Sequence, residues 1–193
     1  MMKKSNPEKN RMTKIAGICG ILIPIVVLLC IGLAMSHSPW FRFTKHAFSD
    51  LGVEGISAIF FNSGMILGGI LALVFSLGLI KILKNKTGGY ILSLSSLALI
   101  GIGIFPETVY TLHFIVSAAF FVLLAISFLI IGLTIKRNQS ERTMGILATL
   151  FAIIAICSTV LLIPWAGIAI PETVSCLPAF IWCMVYGVKM TFV

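Results

Sequence analysis

Six stretches of near-continuous apolar residues, separated by short polar connections, decide what this chain can become. They run over about 15–36, 56–80, 89–105, 109–135, 144–163 and 172–186. A helix needs about 20 such residues to cross roughly 30 Å of hydrocarbon. None of the six alternates apolar and polar residues with a period of two, so they read as helices and not as barrel strands. Composition points the same way. Hydrophobic residues make up 59% of the chain and charged residues 10%, whereas a soluble domain carries about 25% charged residues. So few charges cannot cover a water-soluble globule, and 14 Phe among long Ile/Leu runs exclude a disordered chain. The fold class is therefore all-α, an integral membrane bundle of six transmembrane helices, with a basic tail over 1–14 and one six-helix domain over 15–193.

The first run has features of a signal peptide: Lys3, Lys4, Arg11 and Lys14 precede it, and the small residues Ala34 and Ser36 end it. Its length of about 22 residues exceeds the 7–15 of an ordinary signal-peptide core, so it is expected to stay as an anchor. Orientation follows from the basic residues. Lys3, Lys4, Lys9, Arg11 and Lys14 precede the first run, Lys81, Lys84 and Lys86 join the second to the third, Lys136, Arg137 and Arg142 join the fourth to the fifth, and Lys189 closes the sixth. Only Arg42 and Lys45 fall on the opposite side. The positive-inside rule then puts both termini in the cytoplasm of a multi-pass plasma-membrane protein. The net charge of +8 is thereby spent on topology, and no nucleic-acid surface is implied. Trp40, Tyr110 and Trp165 fall at outer boundaries and Tyr90 and Tyr186 at inner ones, as interfacial anchors do. Cys19, Cys30, Cys157, Cys176 and Cys183 all lie in apolar runs without paired spacing, and read as small buried hydrophobes.

The polar chemistry collects on the outer side. Asp50, Glu54, Glu107 and Glu172 lie there with all three histidines, His37, His46 and His113. Such a face can hold a cation or a polar lipid headgroup, or carry protons. With Pro106 opening the fourth span, His113 sits roughly 10 Å below the helix start at 1.5 Å per residue, where its imidazole needs a partner. Tyr110 and Ser117 share its helical face. Asp50, in Phe48-Ser49-Asp50-Leu51-Gly52, reads as a cap or turn residue ahead of the second span. If that segment is helical, His46 and Asp50 fall at i and i+4, a spacing suited to half of a metal site. Pro106-Glu107-Thr108-Val109 and Pro171-Glu172-Thr173-Val174 form a short repeat that opens the fourth and sixth spans. Proline suits the first helical position and the glutamate complements the helix dipole. Two equivalent glutamates could then flank one central cavity. Asn62 and Ser63 precede Gly64-x-x-x-Gly68-Gly69, small-residue packing with a polar tie to a neighbour, and Ser93, Ser95 and Ser96 read likewise.

The segments Ser38-Pro39-Trp40-Phe41, Phe48-Ser49-Asp50-Leu51-Gly52, Ile59-Phe60-Phe61-Asn62-Ser63-Gly64 with Gly68-Gly69, and Gly103-Ile104-Phe105-Pro106-Glu107 with Leu112-His113 resemble the domain-of-unknown-function family numbered 998. The resemblance covers nearly the whole chain after the tail. It implies a small membrane protein of about six spans in which Ser49, Asp50, Asn62 and His113 belong to the family pattern, and it assigns no activity. A weaker likeness is to eukaryotic multispanning proteins linked to lipid-anchor remodelling. Another is to membrane hydrolases of the alkaline ceramidase type, with zinc on three histidines. The chain departs from the hydrolases in lacking H-x-x-x-H and in having six spans where they have seven.

The first functional expectation is an outward-opening polar pocket that binds a membrane lipid, another small ligand or a protein partner, with Ser49, Asp50, Asn62, Glu107, His113 and Glu172 as its candidate residues. A second is a metal-dependent or acid/base hydrolase of lipid headgroups, with His46, Asp50 and His113 holding zinc or acting as base and Ser49 nearby. A third is a transporter or channel. Membrane lipids are the expected partners, beside a second copy of the chain or another membrane protein. The orientation is directly testable. In intact cells a Ser5→Cys variant should resist a membrane-impermeant maleimide while Lys45→Cys reacts, and the opposite pattern would invert the map.

Overall fold

The computed structural model describes residues 7–162 and 168–192. Among them lie six α-helices and no strand: α1 (Pro7–Ser36), α2 (Gly55–Ile82), α3 (Thr87–Ile104), α4 (Tyr110–Ile135), α5 (Arg142–Leu162) and α6 (Ala169–Thr191). Short 3₁₀ turns occupy Phe48–Gly52 and Gln139–Glu141. All six helices are long and apolar enough to cross a membrane. The helix α1 reaches back to Pro7 and so extends through part of the basic tail. Trp165 and the end of the fifth apolar run lie outside the described residues.

One expected helix start is displaced. Pro106 does not open α4, which begins at Tyr110. A residue before proline is pushed out of the helical region, and Phe105 accordingly ends α3 in an extended conformation, with φ −107° and ψ 90°. The next residues form a turn closed by Val109 N–H donating to Pro106 C=O at 2.8 Å. In the second copy of the repeat, Pro171 stands within the first turn of α6, where its missing N–H is among the donors a helix leaves unpaired anyway.

Consecutive helices pack on one another and α6 returns to α1, so the bundle is a closed ring in chain order. Small residues set the approach at the seams. On the α1–α2 seam, a Cβ on Gly64 would lie 2.4 Å from Cys30, one on Gly68 2.3 Å from Val27, and one on Gly78 2.2 Å from Ala16. Gly69 meets Ile100 of α3, Gly88 meets Ile131 of α4, and Gly132 meets Gly145 of α5. On the closing seam the contact is reciprocal: a Cβ on Gly17 would stand 2.6 Å from Gly187 O, and one on Gly187 2.6 Å from Gly17 O. Close backbone approach of this kind drives helix association where lipid removes the hydrophobic contrast. Serines supply polar ties across the seams: Ser76 to Ser93 at 2.7 Å, Ser158 to Ser175 at 2.6 Å, and Ser95 Oγ–H to Phe120 O at 3.0 Å.

The two ends of the ring differ. Lys81, Lys84, Lys86, Lys136, Arg137 and Lys189 gather at the end where α6 finishes, and Lys189 pairs with Glu141 there. In the half toward this basic end an aromatic cluster fills the core. Trp182 meets Phe75 edge-on at 6.3 Å and Phe128 at 5.1 Å between ring centroids, and stacks on Tyr186 at 4.6 Å. Its indole N–H donates to Met144 O at 2.9 Å, satisfying that buried polar group and tying α6 to α5. Because the Gly17–Gly187 contact is backbone against side-chain space, Gly187→Leu should destabilise the protein by about 1–3 kcal/mol. Gly32→Ala should be near neutral, since a Cβ there meets nothing within 4 Å. Thermal unfolding of the two variants in detergent compares them directly.

Candidate functional site

The opposite, acidic end of the ring is built around the connection from α1 to α2, residues 37–54. Its 3₁₀ turn explains the Ser49-Asp50-Leu51-Gly52 motif residue by residue. Asp50 Oδ2 accepts the Ala47 N–H at 3.1 Å, so the carboxylate caps this turn. It does not cap α2, whose preceding residue is Glu54, with no side-chain cap. Leu51 is fully buried. Gly52 lies so close beneath α2 that a Cβ would come within 2.7 Å of both Asn62 Oδ1 and the Phe61 ring. Asn62 Nδ2–H then donates to Gly52 O at 3.1 Å, fastening the turn to α2.

Before this turn the connection crosses the mouth of the ring to α6. Ala169 N–H donates to His46 O at 3.0 Å, and Phe48 N–H donates to Glu172 Oε2 at 2.9 Å. Trp40, Phe41, Phe43 and Phe48 pack on one another and on His46 along the strap. His46 is a turn residue: its Nδ1 accepts the Arg42 N–H at 3.0 Å. The i, i+4 helical face with Asp50 does not form, because Ala47 takes an extended conformation between them. Among the described residues no three His, Cys, Asp or Glu side chains gather as a metal group. The structure therefore does not assemble His46, Asp50 and His113 as a zinc set.

His113 lies in the first turn of α4, shallower than the sequence spacing suggested, because the helix starts at Tyr110. The ring is buried and paired on both nitrogens. Nδ1 lies 2.7 Å from Phe105 O, which can only accept, so Nδ1 carries the hydrogen. Nε2 lies 3.3 Å from Ser117 Oγ. Phe105 is the residue that Pro106 forces out of the helix, and the carbonyl it frees is the one that orients the imidazole.

Beneath the strap lies a cavity of about 280 Å³. Its walls are apolar side chains of α1, α2, α3, α4 and α6, among them Ile31, Met65, Leu99, Phe120 and Phe180. Polar groups reach it only near the acidic end: Ser49 from the strap, His113 and Ser117 from α4, Glu172 and Thr173 from α6. Of the sequence candidates, Ser49, His113 and Glu172 thus line the cavity. Asp50, Asn62 and Glu107 do not line it; Asn62 fastens the strap to α2 and Asp50 caps the strap's turn. Ser117 and Thr173 were legible only as neighbours of His113 and Glu172, and the Phe48 N–H that binds Glu172 carries no sequence signal.

Glu107, in the turn between α3 and α4, completes a group of three carboxyls with Asp50 and Glu172, close enough for their charges to act on one another. Burial pushes the Glu107 pKa above its ordinary value of 4.5, and the hydrogen bond and charge of Asp50 push it further. His113 and Ser49 oppose the shift. One Glu107 oxygen, Oε2, is buried without a hydrogen-bond partner among the described residues.

Six membrane-crossing helices around a chamber define a multi-pass helical membrane protein. Residues 21–189 match the model of a family described as "Protein of unknown function (DUF998)", and the chain belongs to that family. No curated protein and no solved structure matches it.

Because the folded state holds the Glu107 proton more tightly than the unfolded chain, its contribution to stability is complete below pH 4.5 and is lost as pH rises from there through the raised value. Glu107→Gln should remove this component, so unfolding temperatures measured in detergent should fall less steeply with pH over that window. An unchanged pH profile would show that Glu107 titrates normally.

Proposed function

We propose that the protein binds an amphiphile, with the hydrocarbon of a lipid lying in the cavity and a head bearing hydroxyl or amine donors at the Glu172 end. The observation that carries this reading is the segregation within one chamber: apolar walls along its length, and polar groups at a single end. The head chemistry follows from what the cavity presents. Glu172 has one oxygen committed to Phe48 N–H and a second able to accept. The His113 Nδ1–H is committed to Phe105 O, so the ring faces the chamber through Nε2 and Ser117. Ser49 and Thr173 add hydroxyls. These acceptors favour a head bearing hydrogen-bond donors, and no Lys or Arg among the lining residues would pair a phosphate.

The gathering of Lys and Arg at the opposite end supports an extracytoplasmic position for this end under the positive-inside rule. The aromatic cluster of Phe75, Phe128 and Trp182 below the chamber supports a site closed at its base over a passage through the ring. Native mass spectrometry of gently solubilised protein tests the proposal. The wild type should carry about one lipid per chain, and Ser117→Leu, which fills the polar end, should lose most of it, by about tenfold in affinity. A wild type that retains nothing, or equal retention in both, would overturn the reading.

A further inference from the structure

The route into the chamber follows from the course of α1. One stripe of this helix faces α6 along its whole length: Gly17, Gly20, Pro24, Ile31 and Met35 recur at three- and four-residue steps or multiples of them. In the basic half the stripe touches α6 directly, with Gly17 on Gly187 and Gly20 on Cys183 O. Past Pro24, Ile31 and Met35 line the cavity, as do Thr173, Leu177 and Phe180 of α6. The seam is thus closed by glycine contacts in one half and bordered by the cavity in the other.

A proline stands in each wall at the level of the change, Pro24 inside α1 and Pro178 inside α6. Each lacks the N–H that would bond the carbonyl four residues back, Gly20 and Val174 respectively, and proline is the commonest cause of a helix bend. The cavity also reaches the outer surface along this seam. Leu28 and Leu177, both in its lining, are 47% and 43% exposed. Gly32, also in the lining, has open space where its Cβ would be. Toward the polar end Phe43, Phe48 and Ser49 of the strap cover the chamber, and the strap is bonded to α6 on both sides of Ala47.

Building on the amphiphile-binding reading, we infer that the cavity-bordered half of the seam between α1 and α6 is a lateral entrance through which one acyl chain of a bilayer lipid, from the leaflet at the acidic end, enters the chamber while its head stays at the strap. The surrounding phase along this seam is hydrocarbon, because α1 and α6 are both membrane-crossing helices. A chain sliding in from lipid exchanges one apolar environment for another and exposes nothing to water, whereas entry from the aqueous side would require the strap's bonds to open.

The test uses full-length protein in vesicles of phosphatidylcholine doped with a phosphatidylcholine carrying a diazirine on one acyl chain. After illumination, adducts should appear on Phe61, Met65 and Leu99, which line the cavity and are otherwise buried. Gly32→Trp places a ring in the entrance, and these adducts should fall by about tenfold or more, while adducts on lipid-facing Leu29 persist and report a folded, inserted protein. Pro24→Ala restores a hydrogen-bond donor in α1 and should lower the same adducts severalfold without adding bulk at the entrance. Equal interior labelling in the wild type and both variants would overturn the lateral route. So would its absence from the wild type in vesicles. A parallel arm separates this from the binding reading, with detergent-solubilised wild type exposed to a diazirine-bearing decylamine. Interior labelling there but not in vesicles would overturn the route and uphold the site, and no interior labelling in either would overturn both.

Discussion

The contact of Gly17 with Gly187 carries more of this architecture than any other, because it closes the one seam of the ring that no chain connection holds. The other five helix pairs are joined in sequence, so their meeting follows from short or strapped connections. In lipid, where apolar side chains gain nothing by leaving solvent, α1 and α6 are held by dispersion at close backbone approach and by the strap's two bonds to α6. Two glycines facing each other permit that approach, and the same proximity draws Trp182, Phe75 and Phe128 into a filled core. Where α1 passes Pro24 its residues begin to line the chamber. A filled half and a hollow half are thus two consequences of one stripe of residues on one helix.

The connection over the hollow half answers a problem of buried charge. Three carboxyls near the membrane boundary would be costly without donors and without proton sharing. Glu172 sits in the first turn of α6, where the dipole favours an anion, and takes the Phe48 N–H. Asp50 takes the Ala47 N–H. For Glu107 no backbone donor is found among the described residues, and burial and Asp50 push its pKa up. Each acid is accommodated by a different device: the Glu172 bond fastens the strap to α6, and the Asp50 bond caps the strap's own turn. The carboxylates are therefore structural at the same positions where they set the polarity of the chamber.

Much of this was legible in the sequence. The six spans follow from run length together with the scarcity of charge, since the runs over 89–105 and 172–186 are no longer than a soluble helix. The Gly64, Gly68 and Gly69 pattern announced close packing, and it is found against Cys30, Val27 and Ile100. Asp50 was recognisable as a capping residue, but its target was not, because capping a 3₁₀ turn or the next helix uses the same residue types. The position of His113 was misjudged for a specific reason: Pro106 looked like a helix opener, and only the conformation of Phe105 before it reveals a turn instead. The repeated Pro-Glu-Thr-Val suggested that Glu107 and Glu172 flank one cavity; of the two only Glu172 lines it, and the nearness of Asp50 is no part of that repeat. The strap that brings them together rests on backbone groups of His46, Phe48 and Ala169, which no side-chain pattern encodes.

A membrane chamber of this kind differs energetically from a cavity in a soluble core. Walls around 280 Å³ of space left without contents forfeit dispersion contacts worth on the order of 7 kcal/mol, taking about 24 cal/mol per Å³. In water such a void is sealed against its only abundant filler, because an apolar pocket does not hold water well. Along α1 and α6 the abundant filler is hydrocarbon, which suits the walls at little desolvation cost. On the proposed reading the apolar walls therefore supply affinity for any chain of suitable length and discriminate little between chains. Selectivity falls to Glu172, His113, Ser117 and Thr173, where an unmatched head would leave buried acceptors unpaired, a penalty of about 1–3 kcal/mol each. The chamber's few polar atoms, and not its volume, are then what decides which lipid stays.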